Sequence, residues 1–200
     1  MRKTVIVSKE IIQLFNKQRG YLQSSQLGRR SLKYHLKAMH DAGEIIRIKP
    51  GLYKHPDYAQ DNDWAEVCHL VPAGVLCLFS AWHYFSLTTQ VPSQYHIAIP
   101  NKAKIRLPEY PPLKIYYWSE PYYSLGVQEI TKNKDVLRIY AIEKSVCDAV
   151  RFRNKAGVDI TSEVLGNYLK RTDRNLDLLI KYARTMRVET IMKQYLEVLI

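Results

Sequence analysis

The stretch GRRSLKYHLKAMHDAGEIIRIKPGLYK, residues 28–54, decides the fold of the N-terminal part of this chain. Its first half carries Leu32, Leu36 and Met39 at spacings of four and three residues, which places them on one stripe of an α-helix. Several β-branched residues follow, and Lys49-Pro50-Gly51 suits a turn between two short strands. The pattern predicts the second half of a winged helix-turn-helix, with a two-stranded wing.

Two further helices are expected ahead of this segment. The first runs from about Ser8 to Lys17, with Ser8 as its N-cap and Gly20 just past its end. A short middle helix over residues 25–27 is capped by Ser24 and leads into the next helix through Gly28. These helices give the apolar stripe of the basic helix a partner to pack against.

Positive charge is concentrated in this N-terminal part. Residues 1–60 hold 12 Lys or Arg against 4 Asp or Glu, a net charge of +8, whereas residues 61–200 hold 18 against 15, a net charge of +3. A run of charge on a helix is usually a solvated face, but charge gathered in one module favours a polyanionic partner. We therefore expect the module to bind double-stranded DNA.

The predicted DNA contacts follow from the geometry of the motif, in which the N-terminal end of the recognition helix enters the major groove. Base preference is expected from Arg29, Arg30, Ser31 and Tyr34, and phosphate contacts from Lys33, Lys37, Lys49 and Lys54, with Arg47 also in the hairpin.

Composition bounds the remaining possibilities. The three cysteines show no pairing pattern, which favours a reducing, cytoplasmic compartment without structural disulfides. The N-terminus lacks a secretory pattern, and the most apolar segment, residues 74–87, is too short to cross a bilayer. A linker is expected over residues 55–63, which divides the chain into a DNA-binding domain, 1–60, and a second domain, 61–200.

The second domain reads as strands grouped ahead of helices, and the fold class expected for the whole chain is α+β. A helix is expected near 64–70 and a buried one over 73–86. Strands are expected over 95–99, 114–118, 127–130 and 136–140, in a sheet that is mixed rather than all parallel, and helices over 143–155, 162–170, 176–186 and from 189 to the end.

Four segments of the chain resemble a known family. They are LVPAGVLCLFSAWHYFSLTTQVPSQYHIAIP (70–100), YPPLKI (110–115), IEKSVCDAVRFRNKAGVDI (142–160) and YARTMRVETIMKQYLEVL (182–199). Together with the basic wing containing Gly51-Leu52-Tyr53, they resemble the abortive-infection type IV antitoxins, also called AbiEi-family transcriptional regulators. The resemblance implies a cytoplasmic bacterial repressor that binds inverted repeats in its own promoter. It also implies an antitoxin domain that counters a nucleotidyltransferase-like toxin, whether or not the two proteins touch. A homodimer or a cooperative assembly on DNA fits such repeats.

Other kinds of site are weaker interpretations of the sequence. Cys68, His69, Cys77 and His83 match no standard zinc spacing, so no metal site is expected. Ser80 lacks the glycines of a nucleophile elbow. Asp148 on a basic helix is an imaginable nuclease acid, but an ion pair on the helix surface or in the interior is the better interpretation. No catalysis and no cofactor are expected.

Aromatic residues offer the alternative function. Five of them crowd one segment: Tyr116, Tyr117, Trp118, Tyr122 and Tyr123. Such a cluster suits a protein-interaction or RNA-handling module, although alternate residues of a strand point to opposite faces. We therefore expect Tyr116 and Trp118 to face one way and Tyr117 the other, with at least one set in the core.

Overall fold

The computed structural model describes residues 2–57, 63–108, 110–132 and 135–199. The chain divides into two compact units, which are Met1–Leu70 with Arg106–Pro108 (unit 1) and Val71–Ile105 with Glu109–Ile200 (unit 2). The main division lies between residues 70 and 71, whereas the sequence analysis places it between 60 and 61. Residues 58–62 of the predicted linker lie outside the described residues.

In its described residues, unit 1 consists of three α-helices, one turn of 3₁₀ helix and a small sheet. Its elements in chain order are α1 (Arg2–Lys17), β1 (Tyr21–Gln23), the 3₁₀ turn (Ser24–Gln26), α2 (Arg30–Asp41), β2 (Ile46–Lys49), β3 (Leu52–Lys54) and α3 (Asp63–Leu70). The predicted middle helix is therefore a single 3₁₀ turn. Gln23 precedes this turn, where Ser24 was the expected cap, and the Gln23 backbone N–H donates to Oε1 of Gln26 at 3.2 Å.

The sheet of unit 1 has three strands in the order β1-β3-β2, all antiparallel, whereas the sequence predicts only the β2-β3 hairpin. Gly51 turns this hairpin with a φ of +82°, a backbone conformation that glycine adopts without steric cost. The backbone N–H of Ser24 donates to the carbonyl oxygen of Gly51 at 2.7 Å, which joins the 3₁₀ turn to the hairpin.

The core of unit 1 forms where the apolar faces of its elements meet. Ile11 and Phe15 of α1 pack with Leu32, Leu36 and Met39 of α2. All five side chains are at most 6% exposed, so the apolar stripe predicted from the spacing of Leu32, Leu36 and Met39 is confirmed. Gly43, with a φ of +76°, follows α2 and lets the chain turn into β2.

The part of unit 2 that the structure describes is a five-stranded mixed sheet with five helices. Its elements are β4 (Val75–Leu76), α4 (Leu78–Tyr84), β5 (Tyr95–Pro100), β6 (Leu113–Trp118), β7 (Val127–Lys132), β8 (Asp135–Tyr140), α5 (Ile142–Ala156), α6 (Val158–Leu169), α7 (Leu176–Thr185) and α8 (Glu189–Leu199). The strand order is β6-β5-β4-β8-β7, in which β6 and β5 are parallel, as are β4 and β8. The α+β class expected from sequence is thus the class observed.

One prediction in unit 2 is wrong. The buried helix expected over residues 73–86 is a two-residue strand followed by a shorter helix. Val75 and Leu76 form the central strand, which pairs with β5 on one side and, at Leu76, with β8 on the other. A strand covered on both faces is apolar throughout, and a short apolar run does not distinguish it from a buried helix.

Helices α5 to α8 and the sheet share the core of unit 2. Trp82 of α4 is fully buried, and its indole N–H donates to the carbonyl oxygen of Ser145 on α5 at 2.8 Å. Val146 and Val150 of α5 pack in the same core as Val164 of α6. Among the described residues, no helix combines the length and the apolar character that crossing a membrane requires.

Candidate nucleic-acid interface

Helix α2 has two opposed faces. Leu32, Leu36 and Met39 point into the core of unit 1. Residues spaced by three and four on the other side share the solvent-facing stripe, and Arg30, Lys33, Tyr34 and Lys37 have this spacing. All four are exposed, and Tyr34 is 73% exposed. The packing of the apolar stripe thus fixes the direction in which the cations point.

The N-terminal end of α2 is electropositive. Arg29 is the N-cap residue and makes no side-chain capping bond, and the first turn holds no acidic residue. The aligned peptide dipoles add partial positive charge at this end of a helix. Arg29 has a side chain that is 75% exposed, and it pairs with Glu10 at 3.9 Å between Nη1 and Oε2. A pair at that distance in solvent is weak and competes poorly with a phosphate.

Ser31 and His35 also lie near the N-terminal end of α2. Ser31 is exposed, and its carbonyl oxygen lies 2.8 Å from Nδ1 of His35. The His35 ring meets the Tyr34 ring edge-on, with 5.8 Å between centroids. These contacts give the otherwise exposed Tyr34 ring a neighbour on its own helix.

The three cations of the hairpin are in different situations. Arg47 is exposed on β2. Lys54 pairs with Glu66 of α3 at 3.0 Å, and Nζ of Lys49 donates to the carbonyl oxygen of Leu70 at 2.5 Å. Burial lowers the pKa of Lys49. Lys49 and Lys54, predicted as phosphate contacts, are therefore half-buried and bonded within unit 1, whereas Arg47 keeps the expected exposure.

The segment 116–123 in unit 2 divides as its strand alternation predicts. Trp118 is buried against Phe152, and the Tyr116 hydroxyl lies 3.0 Å from Nδ1 of His96. Tyr117 faces the other way and is 52% exposed. The predicted division into two faces is confirmed. Two more tyrosines of the segment have partners, because the Tyr122 ring lies 3.8 Å from the Arg151 guanidinium and the Tyr123 hydroxyl donates to the carbonyl oxygen of Ala73.

Asp148 belongs to a buried ion pair, as its surroundings in the sequence suggest. Lys144 Nζ lies 2.9 and 2.8 Å from the two carboxylate oxygens, and the side chains are 0% and 1% exposed. The ammonium group also lies 3.7 Å from the ring centroids of both Trp118 and Tyr140. Burial raises the pKa of Asp148 to about 6, against the opposing effect of Lys144.

The other candidate sites, a metal site and a nucleophile, fall within the described ranges of the chain. In those ranges, no group of three or more His, Cys, Asp or Glu side chains is arranged to hold a metal ion. Cys77 is fully buried, and burial raises its pKa. Ser80 is also buried, and its hydroxyl oxygen accepts a hydrogen bond from the backbone N–H of His96 at 2.8 Å.

Comparison with known proteins finds a solved structure of similar fold. No protein-family model matches the chain, and no curated protein matches it. Among solved structures, the chain is similar to the crystal structure of the RV2827C protein from Mycobacterium tuberculosis. The TM-score is 0.60 at 10% sequence identity, and the match covers 90% of this chain and 71% of that chain. At this identity, the likeness is one of fold alone.

Proposed function

We propose that this chain is a DNA-binding transcriptional repressor whose first unit is a winged helix-turn-helix. The observation that carries the proposal is the solvent-facing stripe of α2, on which exposed cations lie opposite a fully packed apolar face. Duplex DNA presents regularly spaced phosphates and a major groove that admits an α-helix. The electropositive N-terminal end of α2 is the end that a recognition helix directs toward base edges.

In this proposal the exposed residues divide into two roles. Arg29, Arg30, Ser31 and Tyr34 meet base edges, and Lys33, Lys37 and Arg47 meet phosphates. Lys49 and Lys54 act instead by holding the hairpin to α3, since their ammonium groups have partners there. The hairpin then presents Arg47 at a fixed position relative to α2, as a wing beside the recognition helix.

We further propose that the protein is the antitoxin of a type IV toxin-antitoxin operon. The support is the resemblance of segments in unit 2 to the AbiEi-family regulators. The protein then occupies inverted repeats in its own promoter as a homodimer or a cooperative assembly, and unit 2 counters a nucleotidyltransferase-like toxin. Co-expression tests this part. Expression of a toxin encoded beside the gene is expected to arrest growth, and co-expression of the native chain is expected to restore it. Variants substituted at exposed positions of unit 2 are expected to accumulate without restoring growth.

The DNA-binding part is tested on the DNA upstream of the protein's own gene. The purified protein is expected to protect a discrete segment in a footprint and to shift that fragment in a gel. Changing Arg29, Arg30 and Lys33 to Ala removes three exposed cations from one end of α2, and we expect the shift to disappear at the protein concentration that gives full binding by the native chain. Each lost phosphate or base contact weakens binding, so each of the three substitutions is expected to lower the affinity for the fragment severalfold.

A control variant compares loss of this surface with loss of exposed cations elsewhere in unit 1. Lys9 and Lys17 are exposed cations of α1, outside the stripe of α2. Lys9→Ala/Lys17→Ala is expected to shift the fragment nearly as well as the native chain. Retained binding by the triple α2 variant, with an unchanged circular dichroism spectrum, overturns the assignment of this face.

The aromatic segment supports a second candidate less strongly. Its aromatic side chains mostly have partners within unit 2, and among the aromatic residues described in 116–123 Tyr117 is the one that is more than half exposed. A protein-interaction or RNA-handling role therefore reduces to a small surface around Tyr117. Tyr117→Ala is expected to leave promoter binding unchanged, and a loss of binding in that variant favours this alternative.

A further inference from the structure

Unit 2 contains a cavity whose lining residues are not among the proposed DNA contacts. It is open to solvent, has a volume of about 210 Å³ and lies between α4, β6 and the C-terminal end of α5. Leu78 and Trp82 are buried at its base, and the half-buried Phe79, Tyr116, Phe152 and Ala156 form its walls. Concave sites lined mainly by apolar and aromatic side chains, with a few polar groups, are the usual sites for small organic ligands.

Two ammonium groups stand at the exposed part of this cavity. Lys114 Nζ lies 6.0 Å from the centroid of the Tyr116 ring, and Lys155 Nζ lies 6.0 Å from that of the Phe152 ring. Both lysines are exposed, and the lining holds no acidic side chain among the residues that the structure describes. The cavity therefore combines an apolar interior with positive charge at its mouth.

The base of the cavity is held in an unusual backbone conformation. Leu78 has a φ of +45°, in the left-handed region that residues with a side chain adopt at a cost. Such conformations persist where the surrounding structure fixes them, and they cluster at binding sites. Here the fixing contacts include the indole N–H of Trp82, which donates to Ser145 of α5, so that α4 is anchored behind the cavity.

We propose that this cavity binds a small organic anion with an apolar body, in which an aromatic or acyl group enters the cavity and a carboxylate lies between Lys114 and Lys155. Burial of the apolar body supplies the favourable free energy, because it removes apolar surface from water on both partners. The two ammonium groups select the charged ligand over its neutral analogue. This site is independent of the DNA-binding face and belongs to unit 2 alone.

Isothermal titration calorimetry on the full chain tests the proposal with 1-naphthoate and its neutral analogue 1-naphthalenemethanol, with octanoate as the acyl representative. We expect 1-naphthoate to bind and the alcohol to bind severalfold more weakly. Lys114→Gln and Lys155→Gln are each expected to weaken 1-naphthoate by roughly 1.5- to 5-fold, the range for solvent-exposed charge pairs, and to leave the affinity for the alcohol unchanged. Octanoate competition identifies whether acyl chains share the cavity.

Two controls make the outcome decisive. Lys170→Gln/Lys181→Gln removes two exposed cations that do not line the cavity, and is expected to bind 1-naphthoate as the native chain does. Ala156→Trp fills the cavity from the last residue of α5 and is expected to abolish binding of all three compounds. Should that variant unfold, the lysine substitutions still decide the matter. The absence of 1-naphthoate binding, equal affinity for acid and alcohol, or equal losses in the two lysine sets overturns the proposal.

Discussion

Lys144 and Asp148 illustrate how much a single pair of residues contributes in this protein. Burying two charges costs several kcal/mol each in desolvation, and their attraction offsets this only with close geometry. Here Lys144 reaches both carboxylate oxygens and two aromatic faces. Burial lowers the pKa of Lys144 and raises that of Asp148, and each charge opposes the shift of the other. Each group is therefore stable as an ion only while the other remains.

This interdependence predicts a non-additive mutant series. Asp148→Asn leaves the Lys144 ammonium group buried without its counter-charge and is expected to lower the free energy of unfolding by about 3–5 kcal/mol. The double variant Lys144→Met/Asp148→Leu removes both charges and is expected to be more stable than the single variant. Urea denaturation followed by circular dichroism measures all three proteins.

A surface pair in the same unit provides the comparison. Arg171 donates to Asp173 through two hydrogen bonds at 2.8 Å, but the Asp173 side chain is 64% exposed. Asp173→Asn is expected to change the urea midpoint only slightly, because solvent screens an exposed pair. A midpoint for Asp148→Asn as close to native as that of Asp173→Asn contradicts this account of the buried pair.

At the scale of the element, α2 combines packing and the proposed recognition in adjacent residues. Leu36 is 1% exposed in the core of unit 1, whereas the next residue, Lys37, is exposed. Successive residues of an α-helix are rotated by about 100°, so neighbouring positions can lie on different faces, and stability and DNA affinity then depend on different side chains. The two properties are therefore separable by substitution.

Two single substitutions test this separation. Leu36→Ala leaves a cavity in the core and is expected to cost about 2–5 kcal/mol of the free energy of unfolding. Lys37→Ala is expected to change stability by less than about 0.5 kcal/mol, the usual range for surface positions, and to weaken binding of a duplex fragment. Thermal melts and gel shifts on the same preparations report both quantities. A Lys37→Ala protein that melts early, or binds DNA as the native chain does, contradicts the division of α2 into two faces.

The sequence predicts elements well where a period or a turn signal is long enough to identify them. Helix α2, the β2-β3 hairpin and helices α5 to α8 are of this kind, and their predicted positions agree with the structure to within a few residues. Strands β1 and β4 were not predicted. They have three and two residues, too few for an alternation to appear, and they form only because other strands pair with them.

The candidate site follows the same distinction. The exposure of Arg30, Lys33 and Lys37 could be predicted because it depends on the helix on which they lie. The situation of Lys49 and Lys54 could not, because their partners on α3 are 21 and 12 residues away in the chain. The cavity between α4, β6 and α5 likewise arises from segments that meet only in the folded unit.

At the scale of the whole molecule, the positively charged N-terminal part of the sequence lies within the first of the two structural units. The net charge of +8 within residues 1–60 falls in unit 1, and the remaining residues carry +3. Unit 2 instead holds the larger mixed sheet, the buried ion pair and the cavity with lysines at its mouth. The proposed division of labour assigns duplex DNA to the first unit, and assigns the antitoxin role and the organic anion to the second.

The salt dependence of duplex-DNA affinity tests the central claim most directly. Fluorescence anisotropy with the native chain is expected to give a logarithm of affinity that falls linearly with the logarithm of salt concentration. Lys33→Ala/Lys37→Ala is expected to make that slope shallower by about 1.8, which corresponds to two lost phosphate contacts on B-form DNA. Lys9→Ala/Lys17→Ala, with the same change in net charge, is expected to keep the native slope. Equal slopes in the native chain and the α2 variant, or equal changes of slope in both double variants, would contradict the claim that α2 binds DNA.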